Sequence, residues 1–154
     1  LSDGKIIKAE PGQNVTLPCQ TPHISVPIRT VEWFRLDLQE GHVLMYQDEQ
    51  FISLNQLPSF VNRVDLQDRQ MKDGDVSLIL KDVTSDDTGT FQCYVVQRGT
   101  NGRKSIVDHI STIYLRVVGI IHLLTINSFI VFMYLFIHFN NENKMITNAI
   151  GDKQ

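Results

Sequence analysis

Two cysteines stand in this chain of 154 residues, Cys19 and Cys93, and about 73 residues separate them. Metal sites need close cysteine or histidine pairs and usually four ligands, so this spacing does not read as a metal centre. Two readings remain: a disulfide, or two separate buried thiols. The local sequence favours the first. Asn14 to Cys19 alternates strictly, with Val15, Leu17 and Cys19 on one face of an extended segment and Asn14, Thr16 and Pro18 on the other. Cys93 closes the run Asp87-Thr-Gly-Thr-Phe-Gln-Cys, a turn followed by the start of a strand. A bridge between strands implies an oxidising compartment. In the chain-entropy account it restrains the unfolded chain by roughly 4 kcal/mol.

The single tryptophan, Trp33, lies between the cysteines in Val-Glu-Trp-Phe-Arg. Cysteine, tryptophan, then aspartate, glycine, aromatic and cysteine is the order of an immunoglobulin sandwich. Over roughly residues 4 to 117 the chain resembles an immunoglobulin V-set domain, in the style of the butyrophilin, myelin-oligodendrocyte-glycoprotein and costimulatory-ligand group. The resemblance implies an all-β, V-type sandwich of two antiparallel sheets in a Greek key. It also implies a Cys19–Cys93 disulfide against Trp33, and an Arg63–Asp87 pair acting as a structural clamp. The stretch between Trp33 and Cys93 leaves room for the two extra strands of the V type. Phe91 departs from the pattern: the family usually has tyrosine two residues before the second cysteine, where its hydroxyl bonds back to the backbone. A phenyl ring can pack there, but that hydrogen bond is lost. The Phe/Trp-Gly-x-Gly bulge of rearranged antigen receptors is missing, which argues against an antibody or T-cell-receptor chain.

Taken in order, the residues predict a weak strand at Lys5 to Lys8, a Pro11-Gly12 turn, and then the Asn14–Cys19 strand. Asn14-Val15-Thr16 is an N-glycosylation sequon on the outward face. Residues 20 to 29 read as a loop. Thr30 to Leu36 is a strand with Val31 and Trp33 inward and Glu32 and Phe34 outward. Val43 to Gln47 is a short strand, and residues 48 to 59 suit a short edge strand and a connection. Phe60 to Leu66 and Asp75 to Val83 are strands joined by Lys72-Asp-Gly-Asp, with Val76, Leu78 and Leu80 on the core side. Gly89 is read as the residue that permits the turn before Cys93. The strand through Tyr94, Val95 and Val96 leads to a glycine-rich, basic tip at 98 to 104. Ile113, Leu115 and Val117 share one face of the last strand.

Residues 1 to 116 thus form the expected extracellular domain. From Val117 to Phe139 the chain is apolar, without a formally charged side chain, and as a helix it would span a hydrocarbon core of about 30 Å. This predicts a single membrane helix at 117–139 and a short cytoplasmic tail at 140–154, in a type I plasma-membrane orientation. The sequence is then expected to begin at a mature N-terminus. Residues 117 to 154 are rich in Ile, Asn, Phe, Lys and Met and lack Arg, Pro, Cys and Trp, as would translated AT-rich non-coding sequence. On that alternative the segment is a splice or gene-prediction artefact and the product a soluble decoy.

A formal charge of −3 with scattered basic residues does not suggest nucleic acid. The sequence holds no phosphate-cradling glycine loop, no His-Glu-x-x-His and no nucleophile elbow. It is expected to be neither an enzyme nor a cofactor- or metal-binding protein. The candidate site is instead the outward face of the sheet that the family letters G, F, C and C′. Glu32, Phe34, Tyr46, Gln92, Tyr94 and Val96 are expected to project from it, with Arg98 at its rim beside Arg103 and Lys104. Aromatic centres with polar borders are typical of protein interfaces. The expected partner is another cell-surface protein of the immunoglobulin superfamily, in regulation of T-cell responses. The alternative is homophilic adhesion of the junctional or virus-receptor type, in which the same face dimerises.

Overall fold

The computed structural model describes residues 4–22, 27–38, 40–97, 106–119 and 127–139. It divides the chain into two compact units, Leu1–Val118 and Gly119–Gln154. In the first unit short apolar alternations become strands: β1 (Lys5–Ala9), β2 (Val15–Leu17), β3 (Ile28–Arg35), β4 (Leu44–Gln47), β5 (Gln50–Phe51), β6 (Val64–Leu66), β7 (Leu78–Leu80), β8 (Gly89–Gln97) and β9 (Ile106–Val117). Six of them form one sheet in the order β1-β9-β8-β3-β4-β5, and the other three form a second sheet in the order β2-β7-β6. All pairs are antiparallel except β1 with β9.

The core lies between the sheets, where the period of two sends every second side chain inward. Val31, Trp33, Phe91, Cys93, Ile113 and Leu115 from one sheet meet Leu17, Leu78 and Leu80 from the other, all inaccessible to solvent. Cys19 and Cys93 are joined by a disulfide that links β8 to the segment after β2. Trp33 is the register partner of Cys93, and its indole N–H donates to the Val76 carbonyl across the core at 3.1 Å. A buried tryptophan therefore leaves no unpaired donor.

Several boundaries differ from those read off the sequence, and three of the differences matter here. Phe60 belongs to a short 3-10 turn, Pro58–Phe60, and Asn62 takes a left-handed φ of 62°, so the strand starts only at Val64. Lys72–Gly74 is likewise a 3-10 turn with Met71 and Asp73 at positive φ, and β7 is confined to three residues. The third concerns Val117, assigned above both to one face of the last strand and to the start of a membrane helix; the strand assignment holds. Val117 is the last residue of β9, pairs with Ala9 and is 7% exposed, and the Val118 amide continues the ladder to the Ala9 carbonyl at 3.0 Å. An apolar run cannot mark the point at which inward strand residues give way to a different segment.

In the second unit residues 127–139 are helical. At 1.5 Å per residue these thirteen described residues rise about 20 Å, against the roughly 30 Å of a bilayer core. Among the described residues no helix is long and apolar enough to cross a membrane. Residues 120–126 of the expected span and the tail at 140–154 lie outside the described residues.

The turn before β8 is held by two arginines. Arg63 donates to the Ser59 carbonyl (2.8 Å) and the Asp82 carbonyl (3.0 Å), and its two terminal nitrogens grip the Asp87 carboxylate. Asp87 is almost wholly buried and also accepts from the Thr84 amide at 2.8 Å. Arg35 points inward from β3 and is 8% exposed. It donates to the carbonyls of Asp86 and Thr88, each at 2.7 Å, and to Asp37 at 2.9 Å. Its guanidinium carbon stands 5.6 Å from the centre of the Phe91 ring, which also packs edge to face with Phe60 at 6.0 Å. Gly89 does not have the left-handed φ that would mark a turn glycine. A β-carbon there would sit 2.8 Å from Arg35 Nε and 2.9 Å from Nη2, so the requirement for glycine is close approach.

Candidate protein interface

The alternation that buries Val31, Trp33 and Arg35 turns Glu32 and Phe34 outward, and in β8 it turns Gln92, Tyr94 and Val96 outward in the same way. Register then decides which of them meet. Glu32 lies opposite Tyr94 and Phe34 opposite Gln92, so the diagonal brings the Phe34 and Tyr94 rings together edge to face at 5.7 Å. The Tyr94 ring also meets His109 of β9 at 5.1 Å, and His109 Nε2 is 2.9 Å from Thr112 Oγ1. Tyr94 donates its hydroxyl to Gln92 Oε1 at 3.4 Å, and Gln92 Nε2 donates to Thr112 Oγ1 at 3.5 Å. The centre of the face is thus a linked aromatic and polar group on half-exposed side chains, with His109 exposed at its edge. Such amphipathic rings bury readily against a second protein surface.

Tyr46 is not part of it. Its register partner is inward-facing Val31, and Tyr46 is buried at 6% exposure against Phe51, with ring centres 4.9 Å apart. Met45, opposite Glu32, takes the outward position on β4. The reason is that Leu44, Met45 and Tyr46 are all apolar, so only the pairing with β3 decides which of them faces out. Arg98, Arg103 and Lys104 lie outside the described residues. The face extends further than the sequence indicated. Tyr114 is 41% exposed and in register with Ile6 of β1, which is 63% exposed, and Val107, also 63% exposed, lies opposite Val96. The parallel pairing of β1 with β9 that carries Ile6 there has no local sequence signal.

Burial raises the Glu32 carboxyl above the ordinary glutamate range, and nearby His42 partly offsets this. A carboxyl raised on folding binds its proton more tightly in the native state. Its cost to stability is therefore present at neutral pH and is relieved as pH falls through the folded value. Glu32→Gln is expected to raise the melting temperature at pH 7, with the gain vanishing near pH 3, where glutamate is protonated in both states. Calorimetry at the two pH values checks this. Asp37 and Asp65 show the opposite sign, lowered chiefly by hydrogen bonds from Arg35 and Arg69. Their contributions exist above the ordinary aspartate range and are lost as pH falls through the depressed values. Among the described residues no group of three His, Cys, Asp or Glu side chains could hold a metal.

A two-sheet sandwich with an inter-sheet disulfide, a tryptophan paired with it and an arginine–aspartate clamp at the turn defines a class of recognition domain rather than a catalyst. The family model of the immunoglobulin V-set domain matches residues 4–114, and the chain belongs to that family. The family is non-enzymatic, and its domains are typically extracellular.

Among solved structures, the human B7-H4 IgV-like domain is similar at 19% identity and a TM-score of 0.56, over 75% of this chain and 92% of that one. A chain in the structure of ICOS in complex with ICOS-L and an anti-ICOS-L VNAR domain is 24% identical, with a TM-score of 0.61 over 75% of this chain and 55% of that one. Bovine butyrophilin is 18% identical, with a TM-score of 0.52 over 77% and 53%. The chain thus spans only about half of the last two. Comparison with curated protein sequences gives no match.

Proposed function

We propose that this chain is a cell-surface recognition protein that binds another protein through the outward β9-β8-β3-β4 face, in the regulation of T-cell responses. The observation that carries the reading is the outward Phe34–Tyr94–His109 ring cluster, in which Phe34 and Tyr94 are half-exposed and His109 is exposed. The structural likeness to B7-H4, to a chain of the ICOS–ICOS-L complex and to butyrophilin supports the immune setting. The apolar run after Val118 serves as the anchor in this reading, supported by the lack of any formally charged side chain from 118 to 139. The sandwich then lies outside the cell in a type I orientation, and Asn14 carries a glycan. Asn14 is exposed, and its carbonyl oxygen accepts from the Asp82 amide at 3.0 Å.

The test is a cell-binding assay with the chain displayed as a multimer, because avidity makes weak single-domain contacts visible. The double substitution Phe34→Ala with Tyr94→Ala is expected to reduce binding by about a hundredfold, as central aromatic anchors do. Both side chains lie outside the core, so the melting temperature should change little. Undiminished binding would remove this face as the interface. Sedimentation of the purified chain separates the reading from homophilic adhesion, which requires concentration-dependent dimers. Recovery in the soluble rather than the membrane fraction would replace the anchored ligand with a decoy.

A further inference from the structure

At the β3-β4 side of the same face an open pocket of about 580 Å³ is bounded by Glu32, Phe34, Glu40, His42, Gln56 and Leu57. Its walls are built in advance. Gly41 sits at φ +104°, where a β-carbon would come within 2.6 Å of the Asn55 carbonyl oxygen. His42 and Leu57 exchange backbone bonds with this loop: His42 N–H donates to Asn55 at 3.1 Å, and Leu57 N–H donates to His42 at 2.9 Å. The Gln56 amide donates to the Val43 carbonyl at 3.1 Å.

The pocket is also electrically one-sided. It contains two carboxylates and, among its described lining residues, no lysine or arginine. The one imidazole has its Nε2–H committed to the Ile52 carbonyl at 2.9 Å. Glu32 has no hydrogen bond or ion pair among the described residues, although it is half-buried. A carboxylate held partly out of water without a hydrogen bond costs stability, which His42 only partly offsets, and a cation brought to it recovers some of that cost.

We infer that the partner anchors itself here with a lysine or arginine side chain, its stem against Phe34 and its charged head between Glu32 and Glu40. The inference rests on the proposed face and deepens it by fixing the partner's chemistry. Phe34 supplies an apolar wall for the stem and a ring face for the cation. The raised Glu32 carboxyl is what such a site shows before the cation arrives. A free divalent ion fits less well, since no third acidic or histidine ligand joins the two carboxylates at metal spacing among the described residues.

The first test uses n-butylguanidinium chloride as the probe, titrated to about 100 mM into the full chain in detergent micelles, a range suited to a weak one-site fragment. Saturable shifts of the Gly41 and His42 amide resonances are expected, and the Glu32→Gln, Glu40→Gln variant should abolish them. No saturable shift, or the same shift in the variant, overturns the inference. The second test is the multimer assay. The same glutamine pair, which leaves the core intact, is expected to weaken binding at least about tenfold. If it binds as well as the unaltered chain while the Phe34→Ala, Tyr94→Ala variant fails, the cation site is overturned and the face stands. If both variants bind normally, the face reading falls and the inference falls with it.

Discussion

Replacing Asp87 with alanine is expected to lower the unfolding free energy by about 3 kcal/mol, the low end of the range for breaking a buried ion pair. The low end applies because the Arg63 side chain is 25% exposed and can regain some water, whereas Asp87 is 3% exposed. Alanine removes the acceptor for two guanidinium nitrogens and for the Thr84 amide together. The remaining Arg63 bonds, to the carbonyls of Ser59, Lys81 and Asp82, hold it beside a vacated site. Urea unfolding measures the loss. A change below about 1 kcal/mol would place the pair among ordinary surface salt bridges. Arg63→Met with Asp87→Ala should cost less than the sum of the two single changes, since each already breaks the shared interaction.

The second large effect is expected from Gly89→Ala, at about 2 kcal/mol, a value typical of overpacking a filled site. The new methyl would meet Arg35 Nε, Nη2 and Cζ between 2.8 and 3.1 Å. An exposed arginine would swing aside at little cost, but this one is held by the Asp86 and Thr88 carbonyls and by Asp37. Moving it leaves two part-buried carbonyls short of a donor. In an Arg35→Met background the same alanine should cost far less. Equal losses in the two backgrounds would show that the glycine is needed for some other reason.

How far the sequence led can be seen in these same residues. Trp33, Cys19 and Cys93 were legible because alternation with period two needs only neighbouring residues, and the order of the three is specific. Phe34 and Tyr94 followed from the same parity. Tyr46 did not, since an apolar residue at every position of Leu44-Met45-Tyr46 carries no parity, and its inward turn is set by hydrogen bonds to β3. Arg35 was passed over because a charged residue at an inward position looks like an error in phase. The carbonyls that accept its protons lie 51 and 53 residues away. Gly89 was read as a turn for the same reason: the atom that excludes a side chain there belongs to β3. What depended on the near neighbours of a residue could be read from the residues themselves; the long-range contacts of Cys19 with Cys93 and of Arg63 with Asp87 came with the family resemblance, and those that place Arg35, Tyr46 and Gly89 did not come at all.

The pairing of β1 with β9 has a mechanical consequence. These strands run parallel over five rungs, from Lys5 with Ile113 to Ala9 with Val117, at the place where the chain leaves the sandwich. Tension directed along β9 would load those rungs in shear, all at once, instead of opening them one after another like a zip. Behind β1 the chain continues into β2 and reaches the disulfide at Cys19 within ten residues of Ala9. A domain gripped at its recognition face and pulled from its C-terminal end would therefore resist as a clamp, holding its shape for as long as the contact lasts.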